Sequence, residues 1–162
     1  MSAVVGLGFA PMGPSTRDAA CELLGAFLAT DPHYRASSGA YGDGGMPALR
    51  RALDLFLTRP EIGSVWVADR NGVAVGACVV CYAISTSRGT LVAKLDDVTV
   101  RADAQHQGVG TAMLEALATW LRARGVTRID SACHRGNAHA WRFYQKLGFV
   151  ALDEERIALN LD

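Results

Sequence analysis

The stretch from Leu91 to Leu121 constrains this chain more than any other part of it. Leu91–Val100 reads as a strand. Val109, Ala112, Met113, Ala116, Leu117, Trp120 and Leu121 then recur in steps of three and four, the apolar stripe of an amphipathic helix that Gly125 closes. Between the two lies Gln105-His106-Gln107-Gly108-Val109-Gly110. A strand that turns through glycines into a helix aims several unpaired N–H groups and the positive end of the helix dipole at one point. That suits a phosphate or pyrophosphate. The same pattern also serves as a plain tight turn.

The rest of the chain arranges itself around this segment. Val4–Phe9 is an opening strand. Leu23, Leu24, Phe27 and Leu28 mark a helix near Arg17–Ala29 that Asp31-Pro32 stops. Asp31–Gly45, with two tyrosines, a histidine and several glycines, reads as a long connection, a feature usually functional in a compact domain. Pro47 starts a second helix with Leu49, Leu53, Phe56 and Leu57 on its apolar face. Ser64–Ala68 and Val73–Ser85 are strands joined by the hairpin signal Asp69-Arg70-Asn71-Gly72. Ile129–Cys133 is a strand, Ala138–Leu147 a helix and Val150–Leu161 a final strand. The order β-α-α-β-β-β-α-β-α-β predicts an α/β or α+β fold, one mixed central sheet with helices on both faces. The 162 residues form a single domain, 1–162.

Composition excludes some functions. Sixteen basic and 16 acidic side chains cancel, so no positive field favours nucleic acid or an anionic membrane. No apolar run is long enough to span a bilayer, and the expected location is cytoplasmic. Cys78 and Cys81 resemble a metal or redox pair, but a three-residue step along a strand sends the two thiols to opposite faces. His33, His106, His134 and His139 show no metal-ligand spacing, and no metal is expected.

A Walker loop requires Gly-Lys-Ser/Thr after its first glycine, and the chain has none. A dinucleotide fingerprint requires a small residue where Met113 stands. Gln105, Gly108 and Gly110 instead match Gln/Arg-x-x-Gly-x-Gly/Ala. Some 30 residues later Asn137, Ala140, Tyr144, Gly148 and Phe149 match Asn-x-x-Ala-x-x-x-Tyr-x-x-x-Gly-Phe at every position. In both motifs the chain resembles the GNAT superfamily of acetyl-CoA-dependent N-acetyltransferases. Strict coverage runs from about Leu95 to Phe149.

The resemblance implies a cofactor cleft where two parallel strands splay, here Leu91–Val100 and Ile129–Cys133. The pantetheine arm of acetyl-CoA would pair with the first strand along Val98, Thr99 and Val100, as an added strand does. The pyrophosphate would sit on the turn Gln105, His106, Gln107, Gly108, Val109, Gly110 and Thr111. The family often has a small residue where His106 stands. Asn137 would bond the cofactor arm, cap its own helix, or both. The implied reaction is direct attack of a neutral primary amine on the thioester in a ternary complex. Tyr144 matches the family's proton donor to the departing thiolate. Asp96 aligns with the family's glutamate and is the candidate base, one methylene shorter. Its alternatives are an ammonium anchor or a structural carboxylate.

Asp97 is expected to support the strand. With Tyr34 and Tyr82 it is also a candidate for contact with the acceptor, expected to be a small cationic amine over an acidic floor. A second reading is a catalytically silent acyl-CoA-binding regulatory module. GNAT proteins are frequently homodimers, though no residue here fixes an interface.

Overall fold

The computed structural model describes residues 4–161. Five strands, β1 (Leu7–Pro11), β2 (Gly63–Arg70), β3 (Val73–Ser85), β4 (Thr90–Val100) and β5 (Val126–Ser131), form one sheet in that order. Neighbours are antiparallel through β4, and β4–β5 is parallel. The helices are α1 (Arg17–Thr30), α2 (Pro32–Tyr41), α3 (Gly45–Thr58), α4 (Val109–Arg122) and α5 (Ala138–Lys146). The expected mixed sheet with helices on both faces is present.

Each face buries its own core. Met113, Leu117 and Leu121 of α4 and Tyr144 of α5 pack on Trp66, Cys78, Val80, Ala93 and Leu95. Leu24 of α1 and Leu53 of α3 pack on Val65, Val67 and Ala77 across the sheet. Full burial of each such aliphatic side chain stabilises the fold by about 1.5–3 kcal/mol. The Trp66 indole N–H adds a buried hydrogen bond of 3.1 Å to the Met113 carbonyl, which ties α4 to β2. Cys78 is fully buried in the α4–α5 core. Cys81 lies outside that core and is half-buried, as the three-residue step requires.

Several boundaries differ from the sequence reading. The opening strand starts at Leu7 because the Leu7 N–H donates to the Val4 carbonyl and closes a turn, with Gly6 inside it at φ +78°. The hairpin at Asn71-Gly72 has positive φ at both residues, as a two-residue primed turn demands. The fifth strand ends at Ser131, so Cys133 lies beyond it. The connection expected at Asp31–Gly45 is largely the helix α2. Asp31 ends α1 and also caps α2, accepting from the Tyr34 N–H at 2.7 Å, and Pro32 occupies the first turn. No residue of α2 is buried, so no apolar period marks it.

The final strand expected at Val150–Leu161 is absent. That segment is irregular, with Ile157, Leu159 and Leu161 84–93% exposed. Four consecutive charged residues, Asp153 to Arg156, interrupt the alternation, and Glu155 pairs with Arg135 outside any ladder. Alternation gives a strand only where a sheet face receives its apolar side.

One irregularity in β4 shapes the site. The β3–β4 register passes from Ala77↔Thr99 to Val79↔Asp96, so two steps on β3 meet three on β4. The extra residue is a β-bulge, and Asp97 within it has φ +53°. Leu95, Val98 and Val100 thereby all face the α4–α5 core.

Candidate active site

The β4–β5 ladder ends at Leu95↔Ser131, while β4 runs on to Val100 without a partner on that side. The Ser131 hydroxyl seals the end of the ladder by donating to the Leu95 carbonyl at 3.0 Å. Beyond this point the expected splay opens, with Val98, Thr99 and Val100 along one wall.

The turn into α4 stands at the end of that wall. His106 has φ +59° and Gly108 φ +78°, so the chain turns twice through the left-handed region before the helix begins. Only Gly108 adopts it without a Cβ penalty. Among the described residues, no backbone amide from His106 to Thr111 donates to a main-chain carbonyl, and Ala112 is the first helical donor, to Gly108. The side chains brace this turn. Gln105 donates to the Val100 carbonyl at 2.9 Å. Gln107 donates to the Asp103 carbonyl at 2.8 Å and accepts from Arg70 at 2.8 Å. Val109 is buried and Thr111 exposed. A Cβ on Gly110 would touch the Phe143 ring and Val100 at 3.4–3.6 Å, so α4 and α5 approach closely there.

Tyr144 of α5 stands close to Ser131, at the end of the β4–β5 ladder. It is 9% exposed, with ring centroids 5.4 Å from Phe143 and 5.2 Å from Phe149. Together with Ser131 and Cys133 it lines a groove of about 1520 Å³. Burial pushes the Tyr144 phenol above its usual 10.0; the Ser131 hydroxyl opposes the shift, and the Asp96 charge adds to it. Asn137 caps α5, its side-chain oxygen accepting from the Ala140 N–H at 3.1 Å. Among the described residues, its side-chain N–H groups meet no acceptor.

The two carboxylates differ in surroundings. Asp96 is ion-paired with Lys94 at 2.9 Å. Asp97, at the bulge, is pushed up to about 6 by burial and then by the neighbouring Asp96 charge, with Lys94 and Arg156 acting in the opposite direction. Tyr34 of α2 is raised by burial and then by the charges of Asp43 and Asp97. Tyr82 does not join them. It lines a separate cavity of about 650 Å³ with Pro11, Phe56, Leu91 and Trp120, toward the other end of the sheet.

Contacts absent from the sequence reading also gather here. The four histidines meet in pairs, His33–His134 at 5.2 Å and His106–His139 at 6.2 Å between centroids. The Arg156 guanidinium lies 5.2 Å from the centre of the Tyr41 ring. No local pattern signals these, because each joins exposed or half-buried residues far apart in the chain.

The family described as Acetyltransferase (GNAT) family matches residues 26–149. A possible acetyltransferase from Clostridium difficile 630 is similar in structure, with a TM-score of 0.77 at 13% identity, covering 96% of this chain and 98% of that one. An aminoglycoside acetyltransferase from an uncultured soil metagenomic sample, in complex with sisomicin, matches with a TM-score of 0.73 at 14% identity, over 97% of each chain. A transcriptional regulator from Bacillus halodurans matches with a TM-score of 0.75 at 20% identity, covering 96% of this chain and 99% of that one. At these identities the likenesses concern the fold. The family match spans well over half of the residues and coincides with the splayed strands, the glycine turn and Tyr144. The chain belongs to the GNAT family of acetyltransferases.

Proposed function

We propose that this protein transfers an acetyl group from acetyl-CoA to the primary amine of a small cationic acceptor in a ternary complex. One observation carries the reading. The free edge of β4 beyond Leu95 leads to the amides of His106–Thr111, which among the described residues meet no main-chain carbonyl, and Tyr144 stands with Ser131 near the end of the β4–β5 ladder. An extended arm pairs with such an edge and its pyrophosphate with such a turn, so these residues fit the donor. When bound, acetyl-CoA supplies a thioester carbonyl open to a neutral amine.

Each residue then has a defined task. Val98, Thr99 and Val100 offer the backbone edge. The turn Gln105–Thr111 offers its amides, held in shape by the Gln105 and Gln107 side chains. Asn137 offers its side-chain amide. Asp96 accepts the acceptor's proton, directly or across one water, because an ammonium near pKa 10.4 must lose it before attack. Asp96 stands on the side whose charge reaches Tyr144, and Tyr144 gives its proton to the departing thiolate. Asp97 and Tyr34 hold the acceptor's positive charge under α2.

The test is calorimetric titration with acetyl-CoA, followed by release of free thiol when amines are added. Saturable binding that weakens with donors lacking the pyrophosphate arm, together with amine-dependent thiol release, is expected. Absence of binding would remove the proposal. Binding with no thiol release across an amine panel would favour the silent regulatory module, a reading that the fold shared with a transcriptional regulator keeps in view.

A further inference from the structure

Lys94 and Lys146 are the only lysines among sixteen basic side chains, and both line the groove that holds Tyr144. Lys146 is exposed at the end of α5. Lys94 is placed differently, with its ammonium 2.9 Å from the Asp96 carboxylate. It also stands opposite Asp130 in the β4–β5 ladder, but Arg128 holds that carboxylate through two hydrogen bonds of 2.6 and 2.9 Å. The next residue, Leu95, turns into the core shared with Tyr144 and accepts from the Ser131 hydroxyl at the last rung before β4 and β5 part. Successive strand residues face opposite sides, so Lys94 and Asp96 lie across the sheet from Tyr144 at the mouth of the same fork.

We propose that Lys94 is a modification site, acetylated by the protein's own active site when no acceptor is present. This rests on the acetyl-transfer reading, in which the thioester lies in the fork with Tyr144 and Asp96. A primary amine 2.9 Å from the assigned base is posed as an acceptor's amine would be. Asp96 takes one proton from the ammonium, and the neutral nitrogen attacks the thioester carbonyl. The C–N bond forms as the C–S bond breaks, the thiolate takes the Tyr144 proton, and the second proton on nitrogen returns to Tyr144 through water. The products are an uncharged acetyl-lysine, free coenzyme A and one proton that Asp96 releases to solvent. The paired side chains are 49% and 28% exposed, so water weakens their attraction and the pair opens at little cost. Tethering also replaces encounter, since an amine held in the site reacts as though highly concentrated. Acetylated Lys94 carries no charge to hold Asp96, so the modification frees the base for other amines.

The experiment incubates the full chain with acetyl-CoA and no added amine, and follows acetylation of the two lysines by peptide mass spectrometry. Lys94 should be modified at least about 10-fold faster than Lys146, at a rate per chain that does not change with protein concentration. Excess free coenzyme A should suppress modification of Lys94 and leave that of Lys146 as it was. Lys94→Arg keeps a cation beside Asp96 but offers no acetylatable amine, and should remove the signal without raising that of Lys146. Equal rates at the two lysines, or a Lys94 rate indifferent to coenzyme A, would mean uncatalysed chemistry and would overturn the proposal. A rate per chain that rises in proportion to protein concentration would mean transfer between molecules and would overturn it equally. If added amines release free coenzyme A while Lys94 stays unmodified, this inference alone falls. If acetyl-CoA does not bind the wild type, the acetyl-transfer reading falls with it.

Discussion

On the side proposed for the donor, β4 is paired with β3 on both sides of its bulge, α4 is bolted to β2 through Trp66 and Met113, and three glutamine-centred hydrogen bonds brace the turn between them. On the side proposed for the acceptor, α2 contributes no buried residue and the described C-terminal residues form no ladder. That side is held by ring contacts, one cation over a ring and one surface ion pair. Exposed contacts of this kind contribute little each. The contrast separates a fixed wall, which must meet the same donor every time, from a light roof that can differ without cost to the core.

The largest expected effect tests the rigid wall. Gly108→Trp forces a bulky residue into a left-handed position within the turn, and acetyl-CoA affinity should fall by at least about 100-fold, in line with losing several charge-assisted amide contacts. Titration against thermally matched wild type reads this directly, and unimpaired affinity would move the pyrophosphate elsewhere. Next comes Tyr144→Phe, which keeps the ring packing but removes the proton. Steady-state thiol release should slow about 100-fold, with donor binding intact. Equal turnover in the two proteins would take the acid role from Tyr144.

The smallest effect sharpens the contrast from the acceptor side. The Asp97 carboxyl titrates at about 6 in the folded chain against 3.8 as its reference. Below about pH 3 it is neutral in both states and costs nothing. As pH rises through that window the unfolded chain ionises first, so stability is lost, and the full penalty stands above pH 6. Asp97→Asn should therefore stabilise the fold by about 1–2 kcal/mol at pH 8, after allowance for partial exposure, and by nearly nothing at about pH 3. Denaturant melts at the two pH values check it, and a gain that is the same at both would rule out ionisation as its source. The same titration should weaken acceptor binding as pH falls through about 6, when the anchor loses its charge.

The same division decides what could be read from the residues in order. Gln105, Gly108 and Gly110 lie within six residues, and Asn137 to Phe149 lie on one helix and its end, so the motifs of the family were legible as local pattern. The paired helices and the buried strands followed from apolar periods that a core enforces. The helix α2 escaped because its face meets no core, and only Asp31-Pro32 announced it. The tail misled in the opposite direction, since alternating Ile157, Leu159 and Leu161 met no sheet face. Tyr82 is a candidate for the acceptor only because its segment lies outside the two motifs, and the length of β3 carries it to another cavity. Meetings such as His33 with His134, or Tyr41 with Arg156, depend on the path of the whole chain.

The bulge at Asp97 has a consequence for how this chain can change over time. One added residue resets which side chains of β4 face inward, so the strand's length carries information that its composition does not. Deleting a single residue between Asp96 and Thr99 would turn Leu95 or Val98 out of phase with its neighbours and carry the carboxylates to the wrong face. Substitutions along β4 can accumulate one at a time, each judged on its own. An insertion or deletion there is judged at once against both halves of the cleft, and the spacing of β4 should outlast the identities of the residues that occupy it.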